Sequence, residues 1–206
     1  YKKGIIGSDS VLMTHMACAD NPDDPMNEMQ INKFEKAFDI VERKTKRSIC
    51  NSACLMNFPQ LSFDWVRSGI AAYGGESKNL NLKTAMTFRA PIISIRKIRK
   101  GERVGYGGRK KASKDMRIAI VYAGYADGIP QTTIDGTKVL VNDKQAVIFG
   151  RVSMDLVSID ITNLPQVSEN DLVSFWCEEL PINEFSNKNG LISYELMTRI
   201  SSRVKV

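Results

Sequence analysis

The residues best suited to chemistry sit at the ends of three short apolar runs. Run 10–16 (SVLMTHM) ends around His15, the single histidine of the chain. Run 48–50 leads into Asn51 and Ser52. Run 63–67 (FDWVR) ends on Arg67, and the chain then turns through Ser68 and Gly69 into an apolar stretch closed by Gly74 and Gly75. A glycine lets backbone approach a ligand closely, and the N–H groups of Ser68, Gly69 and Ile70 are expected to cradle a phosphate. Taken singly, each feature is ordinary. A strand followed by Ser-Gly is a common turn, and a histidine at a strand end is commonly structural. Convergence is what would give them meaning, because α/β folds place chemistry where polar residues share the carboxyl-end rim of parallel strands.

The elements that would position these residues follow from periodicity. A turn rich in Asp, Asn and Pro (20–25) precedes an amphipathic helix predicted over 26–43, with Ile31, Phe34, Phe38 and Val41 on one face. Asp23 and Asp24 stand before it and Arg43, Lys44, Lys46 and Arg47 crowd its end, a polarity that suits the helix dipole. A short helix is expected over 53–57. Strand–helix alternation predicts parallel pairing. A (β/α)8 barrel takes about 250 residues, about 30 per unit, so this part of the chain holds between two and three units of one.

The pattern changes after Lys83. Runs 86–98, 117–122, 138–141, 146–149, 156–161 and 172–176 read as strands, with turn signals at Gly101, Asp135-Gly136, Asn142-Asp143 and Asn170-Asp171. They predict a mostly antiparallel β domain over 84–206, open or closed into a barrel. Helices are expected over 182–188, stopped by Asn189-Gly190, and over 194–200, with a last strand over 202–206.

Composition narrows the classes. The 206 residues are 43% hydrophobic and 25% charged, ordinary for a globular protein. No apolar run approaches the roughly 20 residues of a membrane span. The net charge of +6 concentrates in 96–114 (RKIRKGERVGYGGRKKASK). That stretch reads as a solvated edge hairpin, or as a loop meeting an anionic ligand or acidic partner. It does not read as a nucleic-acid site, since no aromatic platform accompanies the charge. Cys18, Cys50, Cys54 and Cys177 fit neither paired CxxC sites nor a disulfide framework, and with one histidine they argue against zinc. Reduced cysteines and the lack of a targeting segment point to the cytoplasm. Tyr1-Lys2-Lys3 is neither a start nor a secretory signal, so the chain is expected to be an internal or carboxyl-terminal piece of a longer protein.

Seven stretches then occur in one order: THMACAD (14–20), CNSA (50–53), FDWVRSGIAAYG (63–74), KGERVGYGG (100–108), GYADGIP (124–130), GRVSMD (150–155) and ISYELMTRISSRV (192–204). Together they resemble the carboxyl-terminal part of the alanine racemases, enzymes dependent on pyridoxal 5'-phosphate. The resemblance implies the last βα units of a (β/α)8 barrel over 1–83, followed by the family's β domain over 84–206. It implies a homodimer in which each site is completed by the partner subunit. By matched motif, Arg67 would face the pyridine nitrogen, His15 would hydrogen-bond and orient Arg67, and Asn51 would lie beside the phosphate-binding groups. Ser52, the Gly69-Ile70 backbone and Tyr194 would bind the phosphate. Tyr106 would be the catalytic tyrosine given to the partner, with Tyr125 and Met154 lining the substrate entrance and carboxylate pocket. Asp127 and Asp155 are read as structural hydrogen-bonders. The family's cofactor-bearing lysine lies in an upstream motif that these residues do not include, so the piece alone is expected to be inactive. Ser48 stands where some members carry histidine.

The implied reaction interconverts L- and D-alanine, supplying D-alanine for peptidoglycan. A proton leaves Cα on one face and returns on the other, which asks for two bases: the lysine and Tyr106. A tyrosine near pKa 10 needs nearby cations to act as a base at neutral pH. An arginine at the pyridine nitrogen cannot accept a proton, which keeps that nitrogen neutral and disfavours side reactions such as transamination. Two other readings remain: a serine, lysine or broad-specificity racemase of the same family, and a non-catalytic β module that binds an acidic partner through 96–114.

Overall fold

In a computed structural model, the described residues are 7, 9–41, 43–75 and 82–205, and the chain divides into two compact units at Leu82/Lys83.

The first unit is a βαβ unit with an extended third segment. Strand β1 (Val11–Met13) pairs in parallel with β2 (Lys46–Ser48), and helix α1 (Pro25–Ile40) connects them. Local chemistry sets the start of α1. The Asp24 side chain accepts from Met26 N at the N-cap, and Pro25 fills the first turn, where its missing N–H costs nothing. Phe34 and Phe38 turn inward. The helix stops earlier than its predicted end, at Ile40. Arg43 takes a left-handed φ of 55° and pairs with Asp39, while Arg47 stacks on the Phe38 and Phe63 rings at 4.5 and 3.7 Å. The basic cluster therefore serves aromatic faces and acids rather than the end of the helix.

Segment 63–67 is not a regular strand. Phe63 has φ 35°, and Arg47 N donates to the Asp64 carboxylate instead of to a neighbouring carbonyl. Among the described residues, two backbone bonds tie the segment to β2 and its extension: Trp65 N to Arg47 O, and Arg67 N to Cys50 O. Between them the register slips by one residue, because two steps on one side match three on the other. The segment still runs beside β2 and delivers Arg67 past its end. Helix α2 (Ser52–Asn57) follows β2, capped by the Asn51 side chain, which accepts from Cys54 N at 2.9 Å.

The second unit is a closed barrel of six antiparallel strands in the order β10-β3-β6-β9-β8-β7. These are β3 (Phe88–Ile98), β6 (Met116–Val121), β7 (Lys138–Val141), β8 (Lys144–Ile148), β9 (Val157–Asp160) and β10 (Leu172–Trp176), with a small hairpin of β4 (Arg103–Val104) and β5 (Lys110–Lys111). Period-two alternation fills the interior: Ile92, Val121, Val141, Ile148, Val157, Ile159 and Val173 are fully buried. Each such side chain contributes about 1.5–3 kcal/mol by leaving water. Trp176 stacks on Phe88 at 4.8 Å and meets the edge of Phe185 at 5.7 Å. Asn142 and Asp143, at φ 50° and 60°, form the two-residue turn between β7 and β8. Helices α3 (Ile182–Lys188) and α4 (Ser193–Arg199) close the chain. Residues 201–205 form turns and bends, not the expected last strand, and Val206 lies outside the described residues. No helix among the described residues is long and apolar enough to cross a membrane.

Candidate active site

The first unit gathers four of the anticipated residues at the carboxyl ends of β1 and β2. Arg67 reaches back across both strands. Its Nη1 donates to Ser48 Oγ at 2.5 Å and its Nη2 to the Thr14 carbonyl at 2.8 Å. Its Nη2 also lies 3.5 Å from His15 Nδ1, at the outer limit of a hydrogen bond. His15 Nε2 is 3.2 Å from Asn51 Nδ2, and that amide also donates to the Met16 carbonyl at 3.0 Å. Gln30, on α1, donates to the His15 carbonyl at 2.6 Å and to Thr14 Oγ1 at 3.0 Å, which ties the end of β1 to the helix.

Ser52 opens α2 and is buried at 5% exposure. Its Oγ accepts from Gly69 N at 3.0 Å and from Ala71 N at 3.3 Å. The expected triple of N–H groups is thus altered, since Gly69 N–H is committed to Ser52. The Ser52 hydroxyl proton and the Ile70 N–H have no partner among the described residues. A Cβ built on Gly69 meets nothing within 4 Å, so an open space adjoins these donors. Beneath them Cys50 and Cys54 bring their sulfurs to 3.0 Å, fully buried. Burial first, and the hydrogen bond with Cys50 second, push the Cys54 thiol up to about 12. A thiol held so firmly protonated is a poor nucleophile.

The second unit brings Tyr125 and Met154 together on two loops in backbone contact. Tyr125 N donates to Ser153 O and Ala126 N to Met154 O, each at 3.0 Å. A Cβ at Gly124 would lie 2.2 Å from Met154 O, so only glycine permits this approach. Asp127 accepts from Gly124 N at 2.9 Å within its loop. Arg203 joins both loops, pairing with Asp155 at 2.6 Å and with Asp127 at 3.6 Å, and its guanidinium pKa is raised first by the Asp155 hydrogen bond. Tyr106 stands in the 3-10 turn between β4 and β5 and is 75% exposed. The preceding Gly105, at φ 80°, packs on backbone, its Cβ position lying 2.8 Å from Arg151 N. That contact sets the tyrosine turn against the loop that carries Met154. Tyr194 is on α4, partly exposed.

Residue-by-residue reading passed over Thr14 and Arg203, and noted Ser48 only as standing where some family members carry histidine. Thr14 acts through its carbonyl, which carries no sequence signal. Nothing in the sequence showed that Ser48 would contact Arg67. Arg203 sits in a tail expected to be a strand.

The surrounding residues suit a phosphorylated ring with a basic nitrogen. A hydroxyl proton and a backbone N–H border open space, and the Arg67 Nε–H has no partner among the described residues. Among these residues no group of three or more His, Cys, Asp or Glu could hold a metal ion.

Comparison with known proteins agrees with this organisation. Residues 8–77 match the family model for the alanine racemase N-terminal domain, and residues 85–206 match that for the alanine racemase C-terminal domain. The chain is 40% identical over 205 residues to an alanine racemase of Alteromonas mediterranea, covering 97% of this chain and 57% of that protein. It is similar to the structure of alanine racemase from Acinetobacter baumannii, with a TM-score of 0.87 and 40% identity over 95% of this chain and 56% of that one. It is also similar to an alanine racemase of Bartonella henselae with covalently bound pyridoxal phosphate, with a TM-score of 0.82 and 28% identity over 95% of this chain and 54% of that one. The chain spans a little over half the length of these relatives. With a partial barrel and a β domain, each matched to its own model, the chain belongs to the alanine racemase family.

Proposed function

We propose that the chain forms part of a pyridoxal 5'-phosphate-dependent alanine racemase that interconverts L- and D-alanine and supplies D-alanine for peptidoglycan. The observation that carries this reading is the gathering of Arg67, His15, Asn51 and Ser52 at one rim of the first unit, within motifs matched to the family. The bound cofactor supplies an electron sink for the charge left when Cα loses its proton. The protein's residues do the rest. Arg67 donates to the ring nitrogen and, being unable to take a proton, leaves it neutral. The Ser52 hydroxyl and the Gly69-Ile70 segment hold the phosphate, next to the open space at Gly69. Tyr106 carries the proton on one face of the substrate, and a lysine outside these 206 residues carries it on the other. The roles of Tyr106, Tyr125, Met154 and Tyr194 rest on their motifs. We place the enzyme in the cytoplasm as a homodimer, with Tyr106 contributed to the partner's site and residues 1–83 as barrel.

The test uses the protein that carries this chain together with the missing barrel strands. It is expected to bind pyridoxal 5'-phosphate, turn yellow, and bring either alanine enantiomer to a racemic mixture. Failure to take up the cofactor, or failure to racemise alanine, contradicts the reading. A panel including serine and lysine separates alanine preference from the broader alternatives.

A further inference from the structure

We propose that Ser48 fixes the guanidinium of Arg67, and that His15 does not. Ser48 is a positioning residue in this account. Its consequence for the cofactor rests on the function proposed above, while the geometry stands apart from it.

Ser48 ends β2 and is buried at 3% exposure. A serine hydroxyl has one proton to give. That proton goes to the Trp65 carbonyl at 2.9 Å, so the oxygen faces Arg67 with lone pairs and accepts from Nη1. Trp65 lies two residues before Arg67 on the same segment. One hydroxyl therefore holds both the backbone that carries the arginine and the arginine's head. The second fixed point is the Thr14 carbonyl, which takes Nη2 at 2.8 Å. With Nη1 anchored on β2 and Nη2 on the extension of β1, the planar fork cannot rotate without breaking a charge-assisted bond. Both acceptors are neutral and no carboxylate pairs with Arg67 among the described residues, so Arg67 turns its positive charge toward its open Nε side.

His15 is excluded by its other neighbour. The Asn51 amide has no freedom to flip, because its Oδ1 accepts from Cys54 N at 2.9 Å and its Nδ2 donates to Met16 O at 3.0 Å. The second Nδ2 hydrogen then points at His15 Nε2, 3.2 Å away. In the neutral ring Nε2 is the acceptor and Nδ1 carries the proton. Nδ1–H and Arg67 Nη2–H thus face each other as two donors at 3.5 Å. His15 is held by Asn51, and Arg67 by Ser48 and Thr14.

The experiment compares Ser48→Ala and His15→Ala in the protein carrying this chain and the missing barrel strands. The first readout is the Arg67 guanidinium by NMR, which needs no cofactor. Slow rotation, seen as separate Nη resonances, is expected in wild type and in His15→Ala and is expected to collapse in Ser48→Ala. The second readout is pyridoxal 5'-phosphate affinity, expected to weaken about tenfold in Ser48→Ala. A generally loosened fold would not single out the Arg67 resonances. Should Ser48→Ala fail to fold, the nearly isosteric Ser48→Cys, a weak donor and acceptor, carries the same comparison. Unchanged Arg67 resonances in the Ser48 variant, or their collapse in His15→Ala, overturn the proposal. If the wild type binds no pyridoxal 5'-phosphate, the function proposal falls and the NMR comparison still decides this one.

Discussion

Replacing Gly124 with alanine perturbs the second unit at a point where the structure leaves no room. The new Cβ would stand 2.2 Å from Met154 O, 2.4 Å from Met154 C and 2.4 Å from Ser153 O. Ordinary contact begins at 3.4 Å, so relief requires a movement of 3.4 − 2.2 = 1.2 Å. All three atoms are backbone, so no rotamer change offers an escape. A shift of that size breaks the bonds from Tyr125 N to Ser153 O and from Ala126 N to Met154 O. Two net backbone bonds are worth roughly 1–3 kcal/mol together, and overpacking adds about 1–3 kcal/mol. The expected loss is therefore roughly 2–6 kcal/mol, a drop of several degrees or more in melting temperature. Urea unfolding, followed by circular dichroism and by the emission of the buried Trp176, measures it. If the proposed function holds, the same change is expected to raise the KM of the complete enzyme by displacing Tyr125 and Met154. A variant with an unchanged urea midpoint and unchanged KM would refute the claim that these loops are locked backbone to backbone.

Four further outcomes are expected. The folded state favours the Cys54 thiol, whose pKa is raised from 9.0 to about 12 by burial, so this contribution to stability is complete below pH 9 and is lost as pH rises toward 12. Stability measured across that window should fall more steeply for wild type than for Cys54→Ala, and parallel curves would count against it. Asn51→Ala removes the cap of α2 and the donor to His15, at a cost of about 0.5–2 kcal/mol read by chemical denaturation. Gly69→Ala puts a methyl into the open space beside Ser52 and should weaken pyridoxal 5'-phosphate binding by at least about tenfold in a fluorescence titration. Arg203→Ala should speed amide hydrogen exchange in both the 124–129 and 153–156 loops, because one guanidinium ties Asp127 to Asp155. Faster exchange in neither loop would show that the tie is ornamental.

The sequence was most readable where one local rule acted alone. The β-strands of the second unit followed from alternation, and Asn142-Asp143 marked its hairpin because both residues tolerate positive φ. Helix 182–188 was legible to the residue, since a proline precedes it and Asn-Gly stops it. Reading failed where tertiary contacts overruled propensity. FDWVR has the composition of a strand, but Asp64 takes an N–H of β2 and Phe63 bends the chain, so the ladder never becomes regular. Val41 and Arg43 lie beyond the end of the observed helix, Arg43 in the left-handed region. The tail lost its strand to the pairing of Arg203 with Asp127 and Asp155. In the site, the side chains with distinctive chemistry, Arg67, Asn51 and Ser52, were visible. Their supports were not: the Thr14 carbonyl carries no signal, and Ser48, noted only as standing where some members carry histidine, shows its hold on Arg67 only through distances.

The central claim is that Tyr106 handles the Cα proton on one face only. Net racemisation cannot test this by comparing directions, since the two enantiomers are of equal energy and their kcat/KM values must stay equal in any variant. Exchange of the Cα hydrogen with deuterated solvent can. With the complete enzyme in D2O, proton NMR should show Tyr106→Phe abolishing exchange from one alanine enantiomer while the other still exchanges without inverting. Wild-type exchange from both enantiomers in that variant would contradict the account.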